Sequence, residues 1–165
     1  MLALPTAVMH ASNQSTDASS PEPRLTLKSQ LADLTLVWSW VEALAAQHSI
    51  SAETQFAIQL CLEEALSNVI RHGYSGQANQ SVTVACTVEC ASTGRRELVF
   101  VVEDHGPPFD PLAYPHAGQA PAPASIAELE PGGQGIRLMR SFANRAAYQR
   151  LPNGNRLTLA FVIKQ

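Results

Sequence analysis

The sequence contains no uninterrupted apolar run of membrane-spanning length, which argues against a transmembrane helix and against a membrane as partner. Basic charge is not in excess: the net charge of -3 and a pI near 5.9 leave no positive field to attract a phosphate backbone, so nucleic acid is not an expected partner. Cysteine is scarce. Cys61, Cys86 and Cys90 are an odd number and form no CxxC pair, which excludes a disulfide framework as the main staple and fits a reducing, cytoplasmic setting. The opening MLALPTAVMH is apolar but lacks the basic region of a secretory signal and is broken by Pro5, so it is not expected to direct export. No internal repeat is present. What the chain does have is 45% hydrophobic residues over 165 positions, enough for one ordinary core. Residues 1–23 are expected to be a disordered tail, because Ser12 to Pro23 are small and polar and bury too little apolar surface to offset the entropy of ordering them. Residues 24–165 are expected to fold as a single domain.

Along that domain the apolar pattern changes period several times. RLTLK (24–28) alternates as a short strand, and the following segment places Leu31, Leu34, Val37, Trp38, Val41, Leu44 and Ala45 at helical spacing. Ser51 stands as an N-cap before a second helix with Glu53 in its first turn, and Gly73 marks its end. SVTVACTV, with Val82, Val84, Cys86 and Val88 on one face, and ELVFVVED, separated by a turn at STGRR, predict an antiparallel hairpin. A proline-rich stretch of about residues 107–132 then separates the hairpin from a third helix, GIRLMRSFANRA. It is too long for an ordinary loop and reads as a functional lid, with Ser125 and Glu128 of SIAELE at capping-box spacing. NRLTLAFVIK closes the chain as a strand with Leu157, Leu159, Phe161 and Ile163 alternating. The predicted fold is α+β, a two-layer sandwich whose mixed, mostly antiparallel sheet is covered on one face by about three helices.

Three polar signals stand in a fixed order within this pattern. On the second helix, Ile58, Leu62, Ala65, Leu66 and Val69 form an apolar face, and Glu64 and Asn68 fall on its flank about 6 Å apart along the axis, beside Ala57, Cys61 and His72. Taken alone they could be solvated surface residues. Glu103-Asp104-His105-Gly106 ends an apolar strand, so Asp104 emerges at the strand end and Gly106 permits close approach of a flat ligand; a plain strand-to-turn transition would look the same. Glycines 132, 133 and 135 precede a helix, where free N–H groups and the helix dipole favour an anion, or where a loop simply needs positive φ.

The order E-x-x-x-N on a helix ending in H-G-Y, then D-x-G-P-P-F-D-P, then G-G-x-G-I before a helix, then N-G-N-R-L-T-L, resembles the serine/threonine kinases that act as bacterial anti-sigma factors, the RsbW and SpoIIAB type of the histidine-kinase-like (GHKL) ATPases. The resemblance spans roughly residues 24–163 and implies the Bergerat ATP-binding fold with ATP and Mg²⁺ as cofactors. It assigns Glu64 as the catalytic base toward an acceptor hydroxyl, Asn68 as the Mg²⁺ ligand, Asp104 as acceptor of the adenine amino group, Gly106 as the glycine beside the ring, and Gly133 and Gly135 as backbone facing the phosphates. Phe109, Asp110 and Pro111 fit the family pattern as the lid hinge. Many relatives continue with an M-D-E-V segment where this chain has Phe142, Ala143, Asn144, Arg145 and Ala146, a departure that bears on the partner surface more than on the ATP site.

The implied partners are a STAS-domain anti-sigma factor antagonist as phosphate acceptor and a sigma factor or similar effector held by sequestration, with a homodimer left open. The alternative is a regulatory binding module that uses ATP only as a conformational ligand or not at all. A histidine kinase fragment is disfavoured, because no dimerisation helix pair with a phospho-acceptor histidine precedes the domain.

Overall fold

The structure, a computed structural model, describes residues 22–91, 94–113 and 135–163, the last stretch with its side chains from Met139. The elements are β1 (Arg24–Lys28), α1 (Leu34–His48), α2 (Ala52–Asn68), β2 (Ser81–Cys90), β3 (Arg96–Asp104), α3 (Gly135–Phe142), β4 (Arg145–Leu151) and β5 (Gly154–Val162). The five strands form one sheet in the order β1-β2-β3-β5-β4. The sheet expected to be mostly antiparallel is antiparallel at every pairing. Among the described residues no helix is long and apolar enough to cross a membrane.

Local chemistry accounts for most of these elements. Ser51 has extended backbone and its hydroxyl accepts from the Thr54 N–H at 3.2 Å, capping α2 as predicted. The predicted apolar face of α2 is buried throughout, and it meets Leu157, Leu159, Phe161 and Ile163 from β5 and Val82, Val84 and Cys86 from β2 in one core. Phe100, at the sheet centre, takes the edges of Trp40 and Phe161 at ring-centroid distances of 5.9 and 6.0 Å.

Four expectations need correction. Trp38 and Leu31, placed on the apolar face of the first helix, are 42% and 47% exposed. Leu31 belongs to a 3₁₀ turn ahead of α1, and the aromatic that reaches the core is Trp40. Val88, expected on the inner face of β2, is likewise exposed. Gly73 does not end α2 in a left-handed conformation. The α-helix stops at Asn68 and widens into a π-helical turn, Val69–Gly73, closed by Tyr74 N–H to the Val69 carbonyl at 2.8 Å, and Ser75 takes the positive φ. The third helix stops at Phe142 rather than running on to Ala146. The Asn144 N–H donates to the Ala160 carbonyl and the Asn144 side-chain oxygen accepts from the Val162 N–H, each at 2.8 Å, so pairing with β5 overrides the helical pattern and opens β4.

The expected disordered tail (residues 1–21 of it), Ser125, Glu128, Gly133 and all but the first residues of the lid lie outside the described residues.

Candidate functional site

The register across the sheet decides what gathers at its end. Val82 pairs with Asp104, Asp104 with Asn155, and Asn155 with Arg150, so one cross-strand row on the helix-covered face turns from apolar to polar. Asp104 is buried, at 5% exposure, and its Oδ1 accepts from the Gly106 N–H at 2.7 Å and from the Asn155 Nδ2 at 2.9 Å. Both bonds fall on one carboxylate oxygen, which leaves Oδ2 as the acceptor for an added donor.

Gly106 is needed for a reason beyond ligand approach. A Cβ there would lie 3.0 Å from both Asp104 Oδ1 and the Gly73 carbonyl oxygen, so the loop after β3 packs directly on the widened end of α2. The same junction holds the ring of His72 stacked on Phe109 at 5.8 Å, and the Tyr74 hydroxyl, which donates to the Ser81 carbonyl at 2.7 Å and accepts from the His105 N–H at 2.8 Å. Tyr74 thus ties the helix end to the start of β2 and to the residue after Asp104. Gly154 is needed still more: a Cβ there would come within 1.9 Å of the Asp104 carbonyl oxygen. Only a glycine lets β5 begin against Asp104 and deliver Asn155 to it.

Glu64 and Asn68 lie one turn apart on α2, both half-buried, on the flank that leads toward this junction. Burial raises the Glu64 carboxyl above the ordinary glutamate range, the neighbouring Glu63 charge raises it further, and Arg71 opposes them. Cys61, one turn earlier and fully buried, is inert as a nucleophile, its thiol pushed up to about 12 by burial and then by the Glu64 charge. The Asn68 carboxamide makes no hydrogen bond among the described residues. No group of three or more His, Cys, Asp or Glu among them could hold a metal ion, so an ion here would draw its ligands from an amide oxygen, phosphate oxygens and water, which is the donor set Mg²⁺ prefers.

Gly135 opens α3, and Arg140 near its end donates to the Leu112 carbonyl, joining α3 to the beginning of the lid. There the Asp110 Oδ1 accepts from the Leu112 N–H at 2.8 Å, a turn that redirects the chain where the hinge was expected.

Residues 27–161 match the family described as Histidine kinase-like ATPase domain. The chain belongs to that family. It is 33% identical over 120 residues to the Serine/threonine-protein kinase BtrW of Bordetella bronchiseptica, an alignment covering 73% of this chain and 79% of that one. Its fold is similar to the crystal structure of the RsbU and RsbW domains of Rv1364c from Mycobacterium tuberculosis, with a TM-score of 0.58 at 16% identity. That likeness covers 88% of this chain but 34% of the longer one. The family expected from the motif order is therefore the family found, and the two-layer α+β architecture of the histidine kinase-like ATPases is the one observed.

Within this ATPase domain the structure brings Asp104 and Gly106 together with the π-helical turn Val69–Gly73 that follows α2, and it places Asn68 at the last residue of α2 and Glu64 one turn before it. Reasoning from the sequence missed Asn155, Tyr148 and Arg150. A signal was available for the first: in GNRLTLAFV, Asn155 is in phase with the buried Leu157, Leu159 and Phe161, as Asp104 is with Leu98, Phe100 and Val102. A polar residue in phase with a core face requires a partner. Tyr148 and Arg150 lie in β4, which the pattern did not separate from the third helix and its tail.

Proposed function

We propose that this chain is an anti-sigma-factor-type regulatory serine/threonine protein kinase of the cytoplasm. It binds Mg-ATP, phosphorylates a STAS-domain antagonist and sequesters a sigma factor or similar effector, with residues 24–165 as its ATPase domain. The observation that carries this reading is the placement of Glu64 and Asn68 one turn apart on the flank of α2, whose π-helical continuation packs through Gly73 on Gly106, the residue whose N–H holds Asp104. Asp104 Oδ2 accepts from the adenine amino group, and a carbonyl at that position of the base would be left facing an acceptor. Asn68 holds Mg²⁺ through its amide oxygen, and the ion, when bound, neutralises charge on the phosphates. Glu64 takes the proton from the acceptor hydroxyl. Its raised pKa makes it a better base near neutral pH, worth about 10²–10⁴-fold in rate. The motif order assigns the backbone at Gly133 and Gly135 to the phosphates. Phosphorylation adds about two negative charges to the antagonist and drives it from the interface. The kinship with BtrW, named a serine/threonine-protein kinase, supports the same reading.

The test is transfer of labelled γ-phosphate from ATP to the cognate antagonist. Wild type is expected to transfer and Glu64→Ala to lose at least about 10²-fold in rate while still binding ATP. ATP binding without transfer in either protein would instead leave a regulatory module that uses ATP as a conformational ligand.

A further inference from the structure

The hydrogen bonds around Asn155 form a closed circuit. Its Oδ1 accepts from the Tyr148 hydroxyl at 2.7 Å, Arg150 Nη1 at 3.0 Å and the Phe109 N–H at 3.3 Å, while its Nδ2 donates to Asp104 Oδ1 at 2.9 Å and to the Pro107 carbonyl at 2.8 Å. The amide can take only this orientation, since the flipped one would set its oxygen against two acceptors and its NH₂ against two obligate N–H donors. Arg150 Nη1 also donates to the Gly106 carbonyl at 2.9 Å, and the Gly106 N–H returns to Asp104 Oδ1. From the edge strand, one guanidinium therefore bonds both the amide that holds Asp104 and the carbonyl of the residue whose N–H holds it from the other side.

We propose that Arg150 and Asn155 are positioning residues for purine selectivity. By saturating Asp104 Oδ1 and pinning the 106–109 loop, they hold Oδ2 as a fixed acceptor, so that a base presenting an amino group is paired and a base presenting a carbonyl is not. This rests on the reading that Asp104 meets the nucleobase. Selectivity of this kind depends on rigidity. A carboxylate free to rotate, on a loop free to shift, escapes an unfavourable carbonyl and finds another donor on the base, whereas a clamped one leaves the wrong base unpaired. Loosening the clamp should therefore cost ATP more than GTP, and the ratio of the two affinities separates positioning from a loss of general stability.

The experiment titrates the full chain with ATP and with GTP in the presence of Mg²⁺ by calorimetry, for wild type, Arg150→Ala, Arg150→Lys and Asn155→Leu. Wild type is expected to prefer ATP, Arg150→Ala and Asn155→Leu to lower the ATP-to-GTP affinity ratio about tenfold, and Arg150→Lys, which can keep one of the two bonds, to fall between. Should Asn155→Leu fail to fold by circular dichroism, Arg150→Ala, altered on the exposed edge strand, carries the test. A ratio that stays within about twofold of wild type, with both nucleotides weakened in parallel or neither changed, overturns the selectivity role and leaves the ATP reading standing. Wild type that binds neither nucleotide overturns both.

Discussion

Two cross-strand rows lie on the same face of the same sheet and differ in kind. In the central one, Cys86, Phe100 and Leu159 stand side by side, all fully or almost fully buried. Two rows on, toward the sheet end, Val82 is followed by Asp104, Asn155 and Arg150. Asp104 and Asn155 are 5% and 4% exposed, so burial alone does not distinguish the rows. Chemistry does. Hiding a carboxylate and an amide costs free energy unless each is hydrogen-bonded, and among the described residues no buried side-chain polar atom lacks a partner. Valine and leucine would fill the same space without that demand. The first row holds the fold together, and the second gathers its bonds on one oxygen of its carboxylate, Asp104 Oδ1.

That contrast can be broken or sharpened by substitution. Phe100→Ala should have the largest effect, about 3–5 kcal/mol of unfolding free energy by urea titration, because it removes the ring on which Trp40 and Phe161 rest. Asp104→Asn should do the reverse. An asparagine can keep its oxygen toward Gly106 and Asn155, preserving the local bonds, while turning an NH₂ toward the base. The expected loss is about 1.5–3 kcal/mol of ATP affinity by calorimetry, tenfold or more. If Asp104→Asn instead unfolds the protein as readily as Phe100→Ala and leaves ATP binding intact, the polar row is structural after all.

The smallest effect concerns Glu64, whose folded pKa is raised by burial, then by Glu63, against the opposing pull of Arg71. Between the unfolded glutamate value of about 4.3 and the higher folded value, the native state binds more protons than the unfolded chain, so this residue's contribution to stability is lost as pH rises through that window. Glu64→Gln should therefore melt slightly higher than wild type near neutral pH, with the difference closing below about pH 4. A difference that persists in acid would mean that desolvation of the charge is not what the substitution relieves.

Four of the proposed site residues stand out in the sequence itself. Glu64, Asn68, Asp104 and Gly106 stand at positions where a polar residue or a glycine interrupts a strong local pattern, and such interruptions are visible in one dimension. Asn155 was visible in the same way, inside N-G-N-R-L-T-L, but that motif served to mark the family and its alternation to place a strand, and no role was read for the residue itself. Tyr148 and Arg150 were not legible. Nothing between Phe142 and Arg145 breaks the helical pattern as proline or glycine would, and the break comes from Asn144 docking on Ala160 and Val162 of β5. The reason for Gly106 also changed. The glycine serves contact with Gly73, far from it in the chain, as well as any approach by a ligand.

By itself the sequence determined the periodic elements α1, α2, β1, β2, β3 and β5 and the order of motifs that marks the family. Period, capping and apolar content act between residues a few positions apart. The fourth strand, the π-helical end of α2 and the circuit joining Arg150, Asn155, Gly106 and Asp104 were decided by tertiary structure alone. Asp104 and Asn155 are 51 residues apart in the chain, and only the strand register, with a glycine at 154 thin enough to allow it, sets one against the other.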